Sequence, residues 1–402
     1  MIEPNIIIAI CIIVIITCYT YLLGKFLKIE LKPVKFETID GLRGYLAFCV
    51  FLHHACIYYY FFPTWNWATP PQNLYTHFGQ TSVSLFFMIT GFLFFNKLIE
   101  SRQRKVDWFS FYITRIMRLY PLYLLVLSVM IYIVYVMSNF ERMDKFSDLF
   151  FQIKDWFFFG VINTPSINGY KETTGIMASV IWSIRYEWLF YFSLPILSLF
   201  FFKQRPSIYV ILISGLVCYY LYNEYTTVHF HFLSFLSGLI AAILIRFDKI
   251  KKFTTHFICS LIAITCLVCT VYFFNSAYSI IPLLLTSFAF IIIACGNSLF
   301  GLLTLKASKY LGQLSYSIYL LHTTLLFIVF RVFIGMEASS KFSLFEYWTL
   351  ILGLGILLIS ISFLTYYKIE LPSLNSAKLL VVKIRCFRNK INNLYFSNQN
   401  NN

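Results

Sequence analysis

Charge is scarce in this 402-residue chain: Asp, Glu, Lys and Arg make up 12% of it, against about a quarter in an ordinary soluble domain. That excludes a conventional soluble globular protein. Acidic residues are scarcest, 17 against 32 basic ones. In a soluble protein such a surplus would point to nucleic acid. Here the basic residues fall in short loops between apolar runs, so membrane topology accounts for most of them and no nucleic-acid partner is expected. The short-period alternation of a transmembrane barrel is also missing. Nor is there a cysteine framework. Cys11, Cys18, Cys49, Cys56, Cys218, Cys259, Cys266, Cys269 and Cys295 lie in apolar runs, and only Cys386 lies in the tail. Cys266 and Cys269 have metal-like spacing but no polar neighbours, so packing is the better reading and no metal is expected. No lysine or arginine precedes the first apolar run and no small-residue cleavage site follows it. It therefore reads as a retained helix, not a cleaved signal peptide.

What is abundant is apolar length. The chain is 59% hydrophobic, with a mean hydropathy of +0.74. Eleven apolar runs recur, at 5–24, 42–62, 80–99, 117–138, 179–202, 207–222, 229–246, 256–274, 279–298, 310–330 and 346–367. They predict an all-α, polytopic helical membrane protein with about eleven transmembrane helices. One set of loops, with the tail, holds 25 Lys and Arg, from Lys25 to Lys390, and the opposite loops hold six. The positive-inside rule then predicts an outside N-terminus and a cytoplasmic C-terminus. The longest loop, 139–178, carries Trp156 and the turn-rich run Asn163 to Gly169, and its Phe157-Phe158-Phe159 stretch is expected to dip into the membrane. Residues 377–396 interleave basic and apolar residues, as an interfacial helix on anionic lipid would. The asparagine-rich end from Asn398 is expected to be disordered.

Four clusters could carry chemistry. Arg43 and His54 are eleven residues apart on one apolar run, about three helical turns, so they share a face roughly 16 Å apart along the axis. Ionisable groups in such a run default to a functional reading; a snorkelling arginine with a helix-contacting histidine is the structural alternative. His53 points to another face and reads as structural. Arg115 and Arg118 are neighbours at i,i+3 and could hold phosphates, or simply anchor the membrane boundary. Arg185 and Glu187 enter an otherwise apolar helix, as an ion pair or with Glu187 orienting a base or hydroxyl. Ser315 to His322 forms a polar stripe, with Tyr319 and His322 on one face; a contact between helices is the bland reading.

Together, and in this order, the clusters resemble the acyltransferase-3 family of integral-membrane O-acyltransferases. The Arg-X10-His signature is met by Arg43 and His54. The Phe-Phe-x-x-Ser-Gly-Phe-Leu element is similar to Phe86 to Leu93, with Thr90 for serine. Arg-x-x-Arg-x-x-Pro matches Arg115, Arg118 and Pro121. Trp-Ser-Leu-x-x-Glu resembles Trp182 to Glu187, Tyr-Ser-x-Tyr-Leu-x-His matches Tyr316 to His322, and Ile-Glu-x-Pro matches Ile369 to Pro372. Two departures stand out. Ser84 occupies a position that is often acidic, and Trp-Leu-Phe-Tyr follows Glu187 where a second acid and a glutamine are usual.

The resemblance implies a ten-helix core over 37–372, preceded by an added helix and linker (1–36) and followed by a basic tail (373–402). It implies transfer of an acyl group, most simply acetyl, from acetyl-CoA or another acyl-CoA to a hydroxyl of a surface polysaccharide or lipid-linked glycan, in a bacterial inner membrane. His54 would be the general base, and Glu187 a second catalytic residue that orients a base or a hydroxyl. Arg43, Arg115 and Arg118 would bind the donor, and Trp182, Arg185, Tyr316, Tyr319 and His322 would contact substrate. No room remains after 372 for the soluble esterase-like domain some members carry, so transfer is direct or uses a separate soluble partner. A flippase for an anionic lipid-linked glycan is the leading alternative, followed by a scaffolding subunit. No internal repeat supports the flippase.

Overall fold

The computed structural model describes residues 4–31, 33–101, 106–160, 163–201, 206–224 and 228–399. Lys32, Arg102, Arg104, Lys105, Lys203 and Arg205, all counted above among the basic loops, lie outside them, as do the side chains of Arg388 and Lys390 and the last three asparagines. The described residues form α1 (Ile6–Phe26), α2 (Glu37–Thr64), α3 (Asn73–Glu100), α4 (Trp108–Met137), α5 (Phe146–Phe157), α6 (Thr173–Phe201), α7 (Ile208–Glu224), α8 (Val228–Leu244), α9 (Asp248–Thr254), α10 (Phe257–Phe273), α11 (Ile280–Ala294), α12 (Lys306–Phe327), α13 (Met336–Ser339), α14 (Leu344–Thr365) and α15 (Leu371–Gln399). No strand occurs among them.

Each predicted apolar run lies on a helix, and the chain is an all-α polytopic membrane protein. The runs are not equal, however. Six helical stretches among the described residues are long and apolar enough to cross a membrane, and a seventh is added if Phe230–Leu244 and Asp248–Thr254, bent by 110°, count as one span. Helices α10 and α11 have 17 and 15 residues. At 1.5 Å per residue they reach about 25 and 22 Å, short of a hydrocarbon core about 30 Å thick.

Local signals set several boundaries. Asn5 caps α1 by accepting from the Ile8 N–H at 3.1 Å, and Asp107 caps α4 by accepting from Ser110 at 3.2 Å. Ser343 and Glu346 form a capping box on α14. Each satisfies N–H groups that a helix start leaves open. Helix α1 buries Ala9, Ile12, Ile16 and Thr20 along one stripe and leaves Ile7, Ile10, Val14 and Leu22 exposed. In a membrane protein that second face meets lipid.

Two apolar clusters make up most of the interior. One joins α2, α3, α4, α6, α8 and α11; the other joins α1, α2, α12 and α14. Phe86, Tyr319, Leu321 and Tyr45 touch both and mark the seam between them. Glycines let backbones meet beside that seam. A Cβ on Gly312 would stand 2.0 Å from the Asp40 carbonyl oxygen, and one on Gly44 would stand 2.4 Å from Leu311 Cβ. Helices α2 and α12 are therefore in backbone contact. Gly238 and Gly91 do the same for α8 and α3.

The two ends of the bundle differ. At the basic end, ion pairs join Lys35 to Glu100 and Lys309 to Glu37, the latter at 2.8 Å. At the other end, His77 contacts the Phe274 carbonyl at 2.6 Å, Gln80 accepts from Ser276 and Ala277, and Arg331 pairs with Glu172. The long loop is ordered around Trp156, which is buried and donates to the Pro165 carbonyl at 2.8 Å. Its phenylalanines divide: Phe157 and Phe158 are exposed, whereas Phe159 is buried against Tyr123. The interleaved tail is helical, with Ala377 and Val381 buried and Leu379, Val382 and Phe387 exposed.

Candidate functional site

Between α2, α3, α4, α6 and α12 lies a cavity of about 270 Å³. At its basic end the wall carries Arg43, Lys97, Arg115 and Arg118. Farther in it carries Val83, Phe86, Phe87, Ser183 and Tyr319. Arg43 is brought inward by α2, nearly two turns beyond the start of the helix. Arg115 and Arg118 come from one face of α4, and Lys97 from the last turn of α3. Four cations thus converge on one chamber, of which the sequence reading singled out three; Lys97 appeared there only as a loop charge.

These cations are only partly neutralised. Arg43 lies 3.8 Å from Asp40, and its buried Nε has no hydrogen-bond partner among the described residues. A buried donor left open costs about 1–3 kcal/mol, so it is a ready contact for an anion or carbonyl. Arg115 lies over the Phe94 ring at 5.0 Å, a cation–π contact that holds the guanidinium against the wall. Glu187 is in the same wall, where it accepts a hydrogen bond from the Tyr191 hydroxyl. The carboxylate predicted to orient a base or a hydroxyl is therefore seated among the arginines, bonded to the Tyr191 hydroxyl. Arg185, two residues earlier, turns another way, toward Gly160 in the long loop.

Beyond the cavity lies a histidine pair. His322 Nε2 and His54 Nδ1 are 3.0 Å apart, although 268 residues separate them in sequence. Both are buried. Their tautomers follow from their partners. His322 Nδ1 is 3.1 Å from the Ile318 carbonyl, and His54 Nδ1 is 3.1 Å from the Val50 carbonyl. A carbonyl only accepts, so each Nδ1 carries the proton. His322 Nε2 then accepts from His54, and His54 Nε2 is left with its lone pair. The Val50 carbonyl thus sets the tautomer of His54 and His322 orients the same N–H from a second side, an arrangement suited to proton acceptance at His54 Nε2. His53 is engaged elsewhere: its Nδ1 lies 2.7 Å from the Tyr75 carbonyl, and its ring fills the space left by Gly79.

Tyr319 joins the two regions. It lines the cavity, its ring is 6.0 Å from that of His322 and 5.8 Å from Phe86, and its hydroxyl is 2.7 Å from Ser183 Oγ. Tyr316, one turn back, also lines the cavity and donates to the Leu119 carbonyl at 2.6 Å. Neither His54 nor His322 belongs to the cavity wall; the pair is one side-chain layer farther on.

A chamber of cations leading to a tautomer-fixed imidazole suits group transfer from an anionic carrier. A family model described as an acyltransferase domain, that of the acyltransferase-3 family, matches residues 36–367. The chain belongs to the acyltransferase-3 family. No curated protein and no solved structure matches it. In this membrane acyltransferase the Arg-X10-His signature becomes concrete: the arginine faces the cavity and the histidine stands beyond it. The Tyr316-to-His322 element supplies both the ring between them and the partner of His54. Trp182 lies outside both regions, with its ring 5.4 Å from that of His231. His231 was overlooked in the sequence, although an imidazole in an apolar run is itself a signal.

Proposed function

We propose that this membrane acyltransferase moves an acyl group, in the simplest case acetyl, from acyl-CoA to a hydroxyl of a surface or lipid-linked glycan. What carries the reading is the cavity with Arg43, Lys97, Arg115 and Arg118 at one end and Tyr319, next to His322 and His54, at the other. The cations would hold the donor phosphates, with arginine forks giving bidentate contacts. The charge split between loops supports placing this end in the cytoplasm, where acyl-CoA is made, with the N-terminus outside in a bacterial inner membrane.

The thioester end would then extend toward Tyr319, whose ring must move aside to admit it to the histidine pair. His54 Nε2 takes the proton of the acceptor hydroxyl as its oxygen attacks the thioester carbon. His322 accepts the Nδ1–H bond throughout and steadies the imidazolium that forms. The carbon–sulfur bond breaks, and the thiolate takes the proton from His54. Glu187 balances charge among the arginines, and Tyr316 lines the acyl path. Transfer is direct or passes through a separate soluble partner.

The test is comparison of cell-surface glycans with and without the gene. The expected result is an ester mass increment that requires the gene and disappears on mild alkaline treatment. Glycans of identical mass and alkali response in both strains would overturn the acceptor assignment.

A further inference from the structure

His231 is buried, and its Nδ1 has no hydrogen-bond partner among the described residues. Four aromatic rings surround it. Centroid distances are 4.5 Å to Tyr186, 5.2 Å to Phe87, 5.2 Å to Tyr278 and 5.4 Å to Trp182. Those rings come from α3, α6 and the segment before α11, and His231 from the first turn of α8. A phenylalanine would fill this space without the cost of an unmet buried donor or acceptor, about 1–3 kcal/mol. Packing therefore does not explain the imidazole.

The box lies at the end of the bundle away from the basic loops. Its floor is His231, Tyr186 and Phe87, all buried, whereas Trp182 and Tyr278 are partly exposed and form its rim. Tyr278 is held over His231 by two bolts from α3. Gln80 accepts from Ser276 Oγ at 2.8 Å and from the Ala277 N–H at 2.9 Å, and His77 Nε2 contacts the Phe274 carbonyl at 2.6 Å. The box also touches the reaction path. Phe87 is shared with the cavity wall, and Ser183, the neighbour of Trp182 in sequence, meets the Tyr319 hydroxyl at 2.7 Å. Tyr319 in turn faces His322.

We infer that Trp182, Tyr186, His231 and Tyr278 form the acceptor subsite, and that it takes an uncharged pyranose. The inference rests on the reading of the acceptor as a glycan. Aromatic faces suit the apolar C–H faces of a sugar ring, and a few fixed polar groups among them suit its hydroxyls. His231 Nδ1 supplies the unmet bond, and the Tyr278 phenol at the rim supplies another. The five described side chains of the box carry no carboxylate, ammonium or guanidinium, and such a lining suits an uncharged ring. Tyr319 passes from this subsite to the histidine pair, so the acceptor approaches His54 from the side opposite the donor.

The experiment uses the full chain in lipid with labelled acetyl-CoA and the methyl glycosides of glucose, galactose and mannose. Wild type is expected to acetylate at least one of them. His231→Phe keeps the packing and removes the nitrogens. It should raise the KM for that glycoside tenfold or more, with the KM for acetyl-CoA within twofold of wild type. His231→Gln, which restores a hydrogen-bonding group, should recover part of the loss, and Tyr278→Phe should raise the glycoside KM several-fold. Because Tyr278 lies in a connecting segment, that variant tests the subsite even where His231→Phe fails to accumulate. Wild-type glycoside KM in both His231→Phe and Tyr278→Phe, or in Tyr278→Phe alone where His231→Phe does not accumulate, overturns the subsite while leaving the acyltransfer reading intact. Failure of wild type to acetylate any of the three, with the gene-dependent ester still present on cell-surface glycans, overturns the neutral-pyranose subsite and leaves the acyltransfer reading standing; absence of that ester as well overturns both.

Discussion

At the scale of single residues, the two histidines of α2 make the sharpest contrast. His54→Ala should abolish acyl transfer with insertion intact, since a general base contributes about 10²–10⁴-fold. His53→Ala should instead lower thermal stability, because its ring fills the gap at Gly79 and its nitrogen meets the Tyr75 carbonyl. Purified variants in lipid, assayed for turnover and melting, separate the two; equal turnover losses at both positions would remove His54 from its role. Arg115→Ala and Arg118→Ala should each weaken the apparent affinity for acyl-CoA by about one to two orders of magnitude, the equivalent of a charge-assisted bond of about 1.5–3 kcal/mol. Lysine should restore only part, lacking the planar fork. Unchanged donor binding in both alanine variants would reduce these arginines to anchors. The pairs Arg43/His54 and Arg115/Arg118 were legible because helical spacing alone relates their members. The partnership of His54 and His322 was not: 268 residues separate them, and no local pattern says which face of α12 meets α2. For Glu187, whether it orients a base or a hydroxyl was not legible; its bond goes one turn along its own helix, to the Tyr191 hydroxyl.

At the scale of elements, the decisive contact is the crossing of α2 and α12. It exists because Gly44 and Gly312 carry no side chain where the opposite backbone passes. Small residues at such crossings let transmembrane helices approach closely. Gly312→Ala puts a methyl where 2.0 Å separates its position from the Asp40 carbonyl oxygen. The helices must move apart, at a cost of about 1–3 kcal/mol, and the imidazoles they carry move with them. The expected outcome is a lower melting temperature in detergent together with a fall in turnover. Gly353→Ala is the control, since its Cβ meets nothing within 4 Å. Equal behaviour of the two would show that the crossing tolerates separation. The eleven apolar runs were legible as helices because hydrophobic length is a strong signal. Their inequality was not: the run 279–298 passes four residues beyond the end of α11 at Ala294, through the turn-forming Gly296-Asn297-Ser298, and a run of hydrophobic residues does not itself mark where a helix stops.

At the scale of the whole molecule, the loop charges predict that the C-terminus lies in the cytoplasm. A reporter active only there, fused after Asn402, should be active; a silent reporter on a stable fusion would reverse the orientation and with it the side from which the donor arrives. The seam marked by Phe86 and Tyr319 sets a further property. In the proposed reaction the donor waits on one side of Tyr319 and the acceptor on the other. An acyl group, formally a cation, travels outward as the hydroxyl proton travels inward to the departing thiolate. The two displacements cancel. Moving one unbalanced elementary charge through 100 mV is worth about 2.3 kcal/mol, so the cancellation is measurable. In proteoliposomes the initial rate should stay the same when an ionophore abolishes the membrane voltage; a rate that tracked the voltage would mean that net charge crosses with each turnover. Electrically, the enzyme would behave as a silent exchanger.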